Sequence, residues 1–383
     1  MRPGERVRSS RASGARWGLL TAITVLFSAA CVSAHGAAYE ASLGAAARDE
    51  GAGRFEAAAR GYDQAAKTAT RWGDGDQARW DAAVVTARAG NVAAAVSRFE
   101  AIASDAASEH QAEAAYRIAA LRIESGDAEA GWKDMEQLVR RFPTHGVAHA
   151  AVRRLVAHAD ERDLQAGLEE LGTLHHDLAA TELIELIAFL TAEHLEGLGK
   201  EREARDAFVQ IADRWPYPFG AFFDGALWHA SLADEKLGLY PAAIDDLERM
   251  LRQRETTSIV GSYERQNYVP AILRIGALYR DRLDDHPRAR AAFHRLYTDF
   301  AHSTFRDRAL WLEAALWHDD GDVDTACERL GTLVREFPDS RYLPCAVKQC
   351  PGLERPRNSA APAECHDYIA KMTESPRERD DGE

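Results

Sequence analysis

Residues 309–340 read ALWLEAALWHDDGDVDTACERLGTLVREFPDS, and this stretch decides the fold. Two apolar-rich segments flank a turn at Gly321-Asp322. Ala314 stands seven residues before the turn glycine, Ala326 five after it, Leu330 four further on and Leu333 three beyond that. Steps of three and four keep side chains on one face of a helix. Small residues on both sides of a short turn let two antiparallel helices approach closely. Pro338 then stops the second helix, because proline lacks the amide the helix needs.

The same arrangement runs outward along the chain. Turns at Gly53-Arg54, Gly90-Asn91, Gly126-Asp127, Gly199-Lys200, Gly238-Leu239 and Gly321-Asp322 lie 37, 36, 73, 39 and 83 residues apart. Each long interval holds a weaker unit, one turning near Arg162 and the other near Asp284, so eight units result. Seven residues before the turn come Ala46, Ala83, Ala119, Ala192, Ser231, Ala277 and Ala314, with Leu155 the exception. Five after it come Ala58, Ala95, Gly131, Gly167, Ala204, Ala243, Ala289 and Ala326. A large apolar residue follows four later, from Tyr62 and Phe99 to Phe293 and Leu330. Pro143, Pro216 and Pro338 close three units in one phase.

This pattern of small, large and proline positions resembles the tetratricopeptide repeat over about residues 36–340. The resemblance implies an all-α solenoid, a right-handed superhelix of about eight antiparallel helix pairs, whose groove binds peptides or helices. The unit at 309–340 is similar to repeats of bacterial cell-envelope lipoproteins. Those include the outer-membrane β-barrel assembly lipoprotein and the Tol-Pal coordinator, and long repeat lipoproteins of exopolysaccharide export offer a further comparison.

The ends of the chain carry different signals. Five arginines precede an uncharged, mostly apolar run from Trp17 to Ala30, too short to span a bilayer but suited to a signal-peptide core. Ser28-Ala29-Ala30-Cys31 then resembles a lipobox, although Ser28 stands where a Leu is usual. The expectation is a signal peptide over 1–30 and lipidation at Cys31. The exported chain would then be an outer-membrane lipoprotein facing the periplasm, with soluble periplasmic protein as the alternative. Residues 341–373 are expected to cap the array and 374–383 to be disordered. Cys327, Cys345, Cys350 and Cys365 remain as an even set, and Cys345, Cys350 and Cys365 are the disulfide candidates, with Cys365 tethered to Cys345 or Cys350.

Lys plus Arg number 47 against 61 Asp plus Glu, a net −14 that becomes −18 without the first thirty residues. Such a polyanion disfavours nucleic-acid binding. The motif positions of common hydrolases, phosphate-binding loops and zinc helices are not found, so the reading is a non-catalytic scaffold with no cofactor and no metal. His145, His149 and His158 read as solvated, and the acidic run Asp319–Asp324 as turn chemistry. The expected partners are other envelope proteins or peptide segments, with the membrane met only through the lipid.

Two surfaces are candidates for partner binding. Ten residues before the turn stand Trp80, Tyr116, Phe189, Trp228 and Trp311. In the resembled family this position faces the concave side, which implies an aromatic-lined groove. The competing reading is packing between neighbouring first helices. The second candidate is the irregular stretch RQRETTSIVGSYERQN at 252–267, where Arg252, Arg254 and Arg265 offer cations for a carboxylate, a phosphate or a glycan. The aromatic run Trp215, Tyr217, Phe219, Phe222 and Phe223 reads as inter-repeat core.

Overall fold

The computed structural model describes residues 35–253 and 266–371. Cys31 and the leader, Arg254 and Arg265, and the tail beyond 371 lie outside the described residues. The chain divides into two compact units, residues 1–147 and 148–383. Among the described residues all regular structure is helical.

The first unit holds three helix pairs. They are α1 (Ala37–Gly51) with α2 (Phe55–Thr68), α3 (Trp72–Arg88) with α4 (Val92–Ser104), and α5 (Gln111–Glu124) with α6 (Ala128–Arg141). Each helix packs on its neighbours in sequence. α7 (Gly146–Asp160) begins at the division, and with α8 (Leu164–Leu178) it stands in the fourth repeat position, where α8 packs more closely on the helix that follows it. The second unit continues with α9 (Ile184–Gly197) and α10 (Glu201–Arg214), then α11 (Phe223–Lys236) and α12 (Tyr240–Leu251). α13 (Tyr268–Asp281) pairs with α14 (His286–Asp299), and α15 (Arg306–Asp319) with α16 (Val323–Glu336). Two short helices follow, α17 (Leu343–Gln349) and α18 (Asp367–Lys371).

The turns explain the glycine spacing. Gly53, Gly90, Gly126, Gly199, Gly238 and Gly321 all have positive φ, between 70° and 97°, a conformation that costs other residues a clash at Cβ. The amide after each turn glycine reaches back five residues, as from Asn91 to Thr86 O and from Asp322 to Trp317 O. These bonds satisfy carbonyls left open at the helix end. The residue after the turn often caps the next helix: Asn91, Asp163, Asp285 and Asp322 accept from the amides of Ala94, Ala166, Arg288 and Thr325. Asp322 is thereby held as a carboxylate, its pKa lowered by the hydrogen bonds from the Thr325 amide and hydroxyl.

Second-helix positions read from the sequence are buried in every unit. Tyr62, Phe99, Met135, Leu171, Phe208, Leu247, Phe293 and Leu330 each expose 5% or less, which places them in the core. The small positions hold in six pairs and shift in one. In the seventh pair Asp284 has φ 54°, and the turn is a residue longer, with the Asp285 amide reaching back six residues to Tyr279 O. The small residue facing α14 is therefore Gly276 and not Ala277. A Cβ at Gly276 would lie 2.4 Å from Phe293 Cε1, whereas Ala277 is only half-buried.

The aromatic run near 215–223 divides in the same way. Phe223 is buried, and Trp215, Tyr217 and Phe222 pack partly against the core. Phe219 is 88% exposed, contrary to the core reading. The amides of Phe219 and Gly220 both donate to Pro216 O, and this tight turn pushes Phe219 outward.

Beyond α16 the chain closes the apolar face. Tyr342, Leu343, Ala346 and Ile369 join the cluster of Leu330, Leu333 and Val334. Disulfides connect Cys327 to Cys350 and Cys345 to Cys365. A repeat array needs such an end cap because its last helix pair has no neighbour.

Candidate functional site

The five in-phase aromatics lie on the first helices of their pairs, but they do not share one environment. Phe189 on α9 exposes 8% and Trp311 on α15 exposes 4%. Phe189 stacks on Phe222 at 4.6 Å and meets Phe208 edge-on at 5.6 Å, and Trp311 stacks on Tyr342 at 6.0 Å. Both rings are packing elements between adjacent helices. Trp80 on α3, Tyr116 on α5 and Trp228 on α11 are half-buried. Trp80 rests on Phe99 and stacks on His110 at 4.9 Å, so its orientation is fixed while an edge stays open. Trp228 lies 5.8 Å from the Arg274 guanidinium, within cation–π range.

Charges surround the aromatics of the second unit. Glu193, one turn after Phe189, is half-buried, and burial raises its pKa against the pull of His229, Arg153 and His194. Glu196 accepts from His229 at 2.9 Å and from Lys236 at 3.3 Å. Glu235 holds Arg274 by two contacts. Fixed aromatic edges beside paired charges can seat an apolar side chain and orient a polar neighbour.

Of the arginine candidates only Arg252 is described. It is exposed just past the end of α12. His145 lies 3.4 Å from Glu113, His158 pairs with Glu161, and His149 is exposed. Among the described residues no group of three or more His, Cys, Asp or Glu could hold a metal ion.

Sequence reading missed a recurrent acid at the start of the first helices. Asp76, Glu113, Glu185 and Asp307 stand thirteen or fourteen residues before their turns. Each meets the loop that opens the following pair. Asp76 accepts from Ser108 Oγ and from the Glu109 amide, Glu185 from the Phe222 amide, and Asp307 from Ser340 Oγ, while Glu113 faces His145. The phase of these acids was visible, but acids are common in the first turn of any helix, where the dipole favours them. Nothing local marked them as links between pairs.

The model of the tetratricopeptide repeat matches residues 270–303 and 308–340, which are the seventh and eighth pairs. The chain thus carries tetratricopeptide repeats, and the remaining pairs follow the same packing. No curated protein matches the chain in sequence. Among solved structures it is similar to PilF of Pseudomonas aeruginosa, at 16% identity over 61% of this chain and 94% of that one, with a TM-score of 0.36. PilW, a type IV pilus biogenesis factor, gives 15% identity, 62% and 98% coverage and a TM-score of 0.36. A signal-transduction ATPase with a tetratricopeptide sensor from Pyrococcus horikoshii gives 14%, 76% and 46%, and 0.42. At these identities and scores nothing about this chain's partner follows from the likeness.

Proposed function

We propose that this chain is a non-catalytic scaffold of the bacterial cell envelope that holds protein or peptide segments against the first-helix faces of its repeats. Tetratricopeptide repeats bind peptides and other proteins. The observation carrying the proposal for this chain is that Trp80, Tyr116 and Trp228 keep accessible surface in a phase where Phe189 and Trp311 are buried. Exposed aromatic edges on a rigid helix favour binding, since they lose little side-chain entropy on contact.

Export is part of the same reading, with lipid at Cys31 and the array facing the periplasm. The basic and apolar leader supports it, and so do two disulfides, which persist in oxidising compartments. Among the described residues no helix is long and apolar enough to cross a membrane. Outer-membrane assembly or cell-wall coordination is the proposed setting.

Two experiments address the parts separately. Affinity capture from envelope extracts compares the native chain with a Trp80→Ala, Tyr116→Ala, Trp228→Ala variant. A partner retained by the first and lost by the second is expected, and identical capture contradicts the proposal. For the tether, globomycin should leave an unprocessed precursor, and processing unaffected by the drug removes the lipoprotein claim.

A further inference from the structure

In the first unit, the loop from α2 into α3 and the end of α4 enclose two cavities on either side of one arginine. One, of about 290 Å³, is lined by Ala66, Ala69, Thr70, Arg71, Trp72 and Arg79, with Gly75 beside them. The other, of about 230 Å³, is lined by Asp63, Arg79, Arg98, Ile102 and Asp105, with Ala101 beside them. Each is smaller than the pockets that enclose a whole small molecule, about 300 Å³ and upward, so each suits one ring of a longer ligand.

Trp72 is 51% exposed, unusually open for so large a ring. Its orientation is nonetheless fixed. The indole Nε1 donates to Ala107 O at 3.2 Å, and the Arg79 guanidinium covers the ring at 4.5 Å from its centroid. Arg79 is itself held by Asp76 at 3.0 Å and Asp105 at 3.3 Å. Across the second cavity Arg98 grips Asp63 with two bonds of 2.6 and 2.8 Å. Arg71 pairs with Asp74 at 3.1 Å.

We propose that this double cavity binds a neutral saccharide chain, one sugar ring against Trp72 and the next between Arg79, Arg98 and Asp63. Three features select that chemistry. The arginines are matched by carboxylates, so the site offers planar pairs of hydrogen-bonding groups with little net field for an ionic ligand. Apart from Trp72 and the arginines, the first cavity is lined by the small residues Ala66, Ala69, Thr70 and Gly75, which offer no large apolar surface to a protein side chain. The side of the indole that Arg79 leaves open is pre-oriented and supplies apolar contact to the C–H side of a sugar ring, while the sugar's hydroxyls turn to the charged pairs.

The test is saturation-transfer NMR on the purified chain with chitotetraose, cellotetraose and maltotetraose, followed by titration of any that binds. At least one is expected to receive saturation. Trp72→Ala should weaken its binding by about tenfold or more, and Trp72→Phe by less, because a ring remains. Gly75→Ala tests the first cavity without threatening the fold. Its new methyl would sit 3.5 Å from Ala66 O and Ala69 Cβ, so it fits the protein but narrows the cavity, and it should also weaken binding. Glu203→Ala, at an exposed position of the second unit, should leave binding unchanged. No saturation transfer to any of the three sugars overturns the proposal, as does transfer that survives both Trp72→Ala and Gly75→Ala. The protein-scaffold reading is untouched by either result, since its test uses other residues.

Discussion

The seventh and eighth helix pairs, α13–α14 and α15–α16, match the same repeat model and stand next to each other, yet they close differently. In the eighth, Gly321 takes the left-handed turn and Ala314 is fully buried in the cluster with Leu330 and Leu333. In the seventh, Asp284 takes that conformation, the turn gains a residue, and Gly276 faces α14 with no room for a methyl group. The helix pair keeps its packing distance by moving the small residue one place along α13. What the repeat preserves is the contact between helices, and the count of residues to the turn adjusts to it.

The two pairs also differ in what covers them. The seventh pair has a following pair, and the eighth has only the cap and its two disulfides. Replacing all four cysteines with serine should therefore separate the pairs most strongly. The expected loss is about 3 kcal/mol or more for the cap and eighth pair, with hydrogen exchange rising in α16 and α17 before α13. Equal exchange gains in α13 and α16 would show that the cap does not carry the difference.

Register comes next in size. Gly276→Ala forces a methyl into the Phe293 ring and should cost about 2 kcal/mol, with partial recovery when Phe293→Leu is added. Ala277→Ser, at the half-buried neighbour, should stay within about 0.5 kcal/mol. Thermal unfolding of the three variants decides which residue holds the small position.

Buried acids extend the comparison to the sixth pair. Glu313 on α15 is buried but lies between His294 at 3.0 Å and Arg329 at 2.9 Å. On α11 the fully buried Asp234 has Arg205 at 3.0 Å, while one of its oxygens and one of Asp246 on α12 have no hydrogen-bond partner. Burial, then repulsion from Asp234, raises the Asp246 carboxyl from its ordinary 3.8 to about 6. A raised acid favours folding only while protonated. Its contribution is complete below pH 3.8 and is lost as pH rises through about 6. Asp246→Asn should remove that slope and stabilise the sixth pair at pH 7 by about 1 kcal/mol, allowing for screening of a partly accessible group. A pH profile parallel to that of the native chain would contradict the assignment.

The smallest effect concerns the turns themselves. Asp284→Gly should stabilise the seventh pair by about 0.5 kcal/mol, and Gly321→Ala should destabilise the eighth by about 1 kcal/mol. Opposite signs in urea midpoints would confirm that both residues serve one conformation.

Much of this fold was legible because its rules are local. A left-handed turn selects glycine, and a close helix approach selects alanine, so both leave marks at fixed intervals. The slip at Gly276 was not legible, since Ala277 is also small and the extra turn residue has no signature. Phe219 looked like core by composition, while its exposure follows from a backbone turn at Pro216–Gly220. The in-phase aromatics were found by position. Whether each one packs or stays accessible depends on neighbours such as Phe222 and Tyr342, which reach them from the loops and helices of the next pair. The acids at Asp76, Glu185 and Asp307 gain meaning only when the loop 32 to 37 residues later folds onto them.

The most direct test of the scaffold account is site-specific photocrosslinking in cells. Benzoylphenylalanine is placed in turn at Trp80, Tyr116 and Trp228, and for comparison at the exposed positions Glu56, Glu203 and Asp245 on second helices. The account predicts discrete protein adducts from the first three positions and none from the other three. Adducts of equal yield from both sets, or none from Trp80, Tyr116 and Trp228, would contradict it.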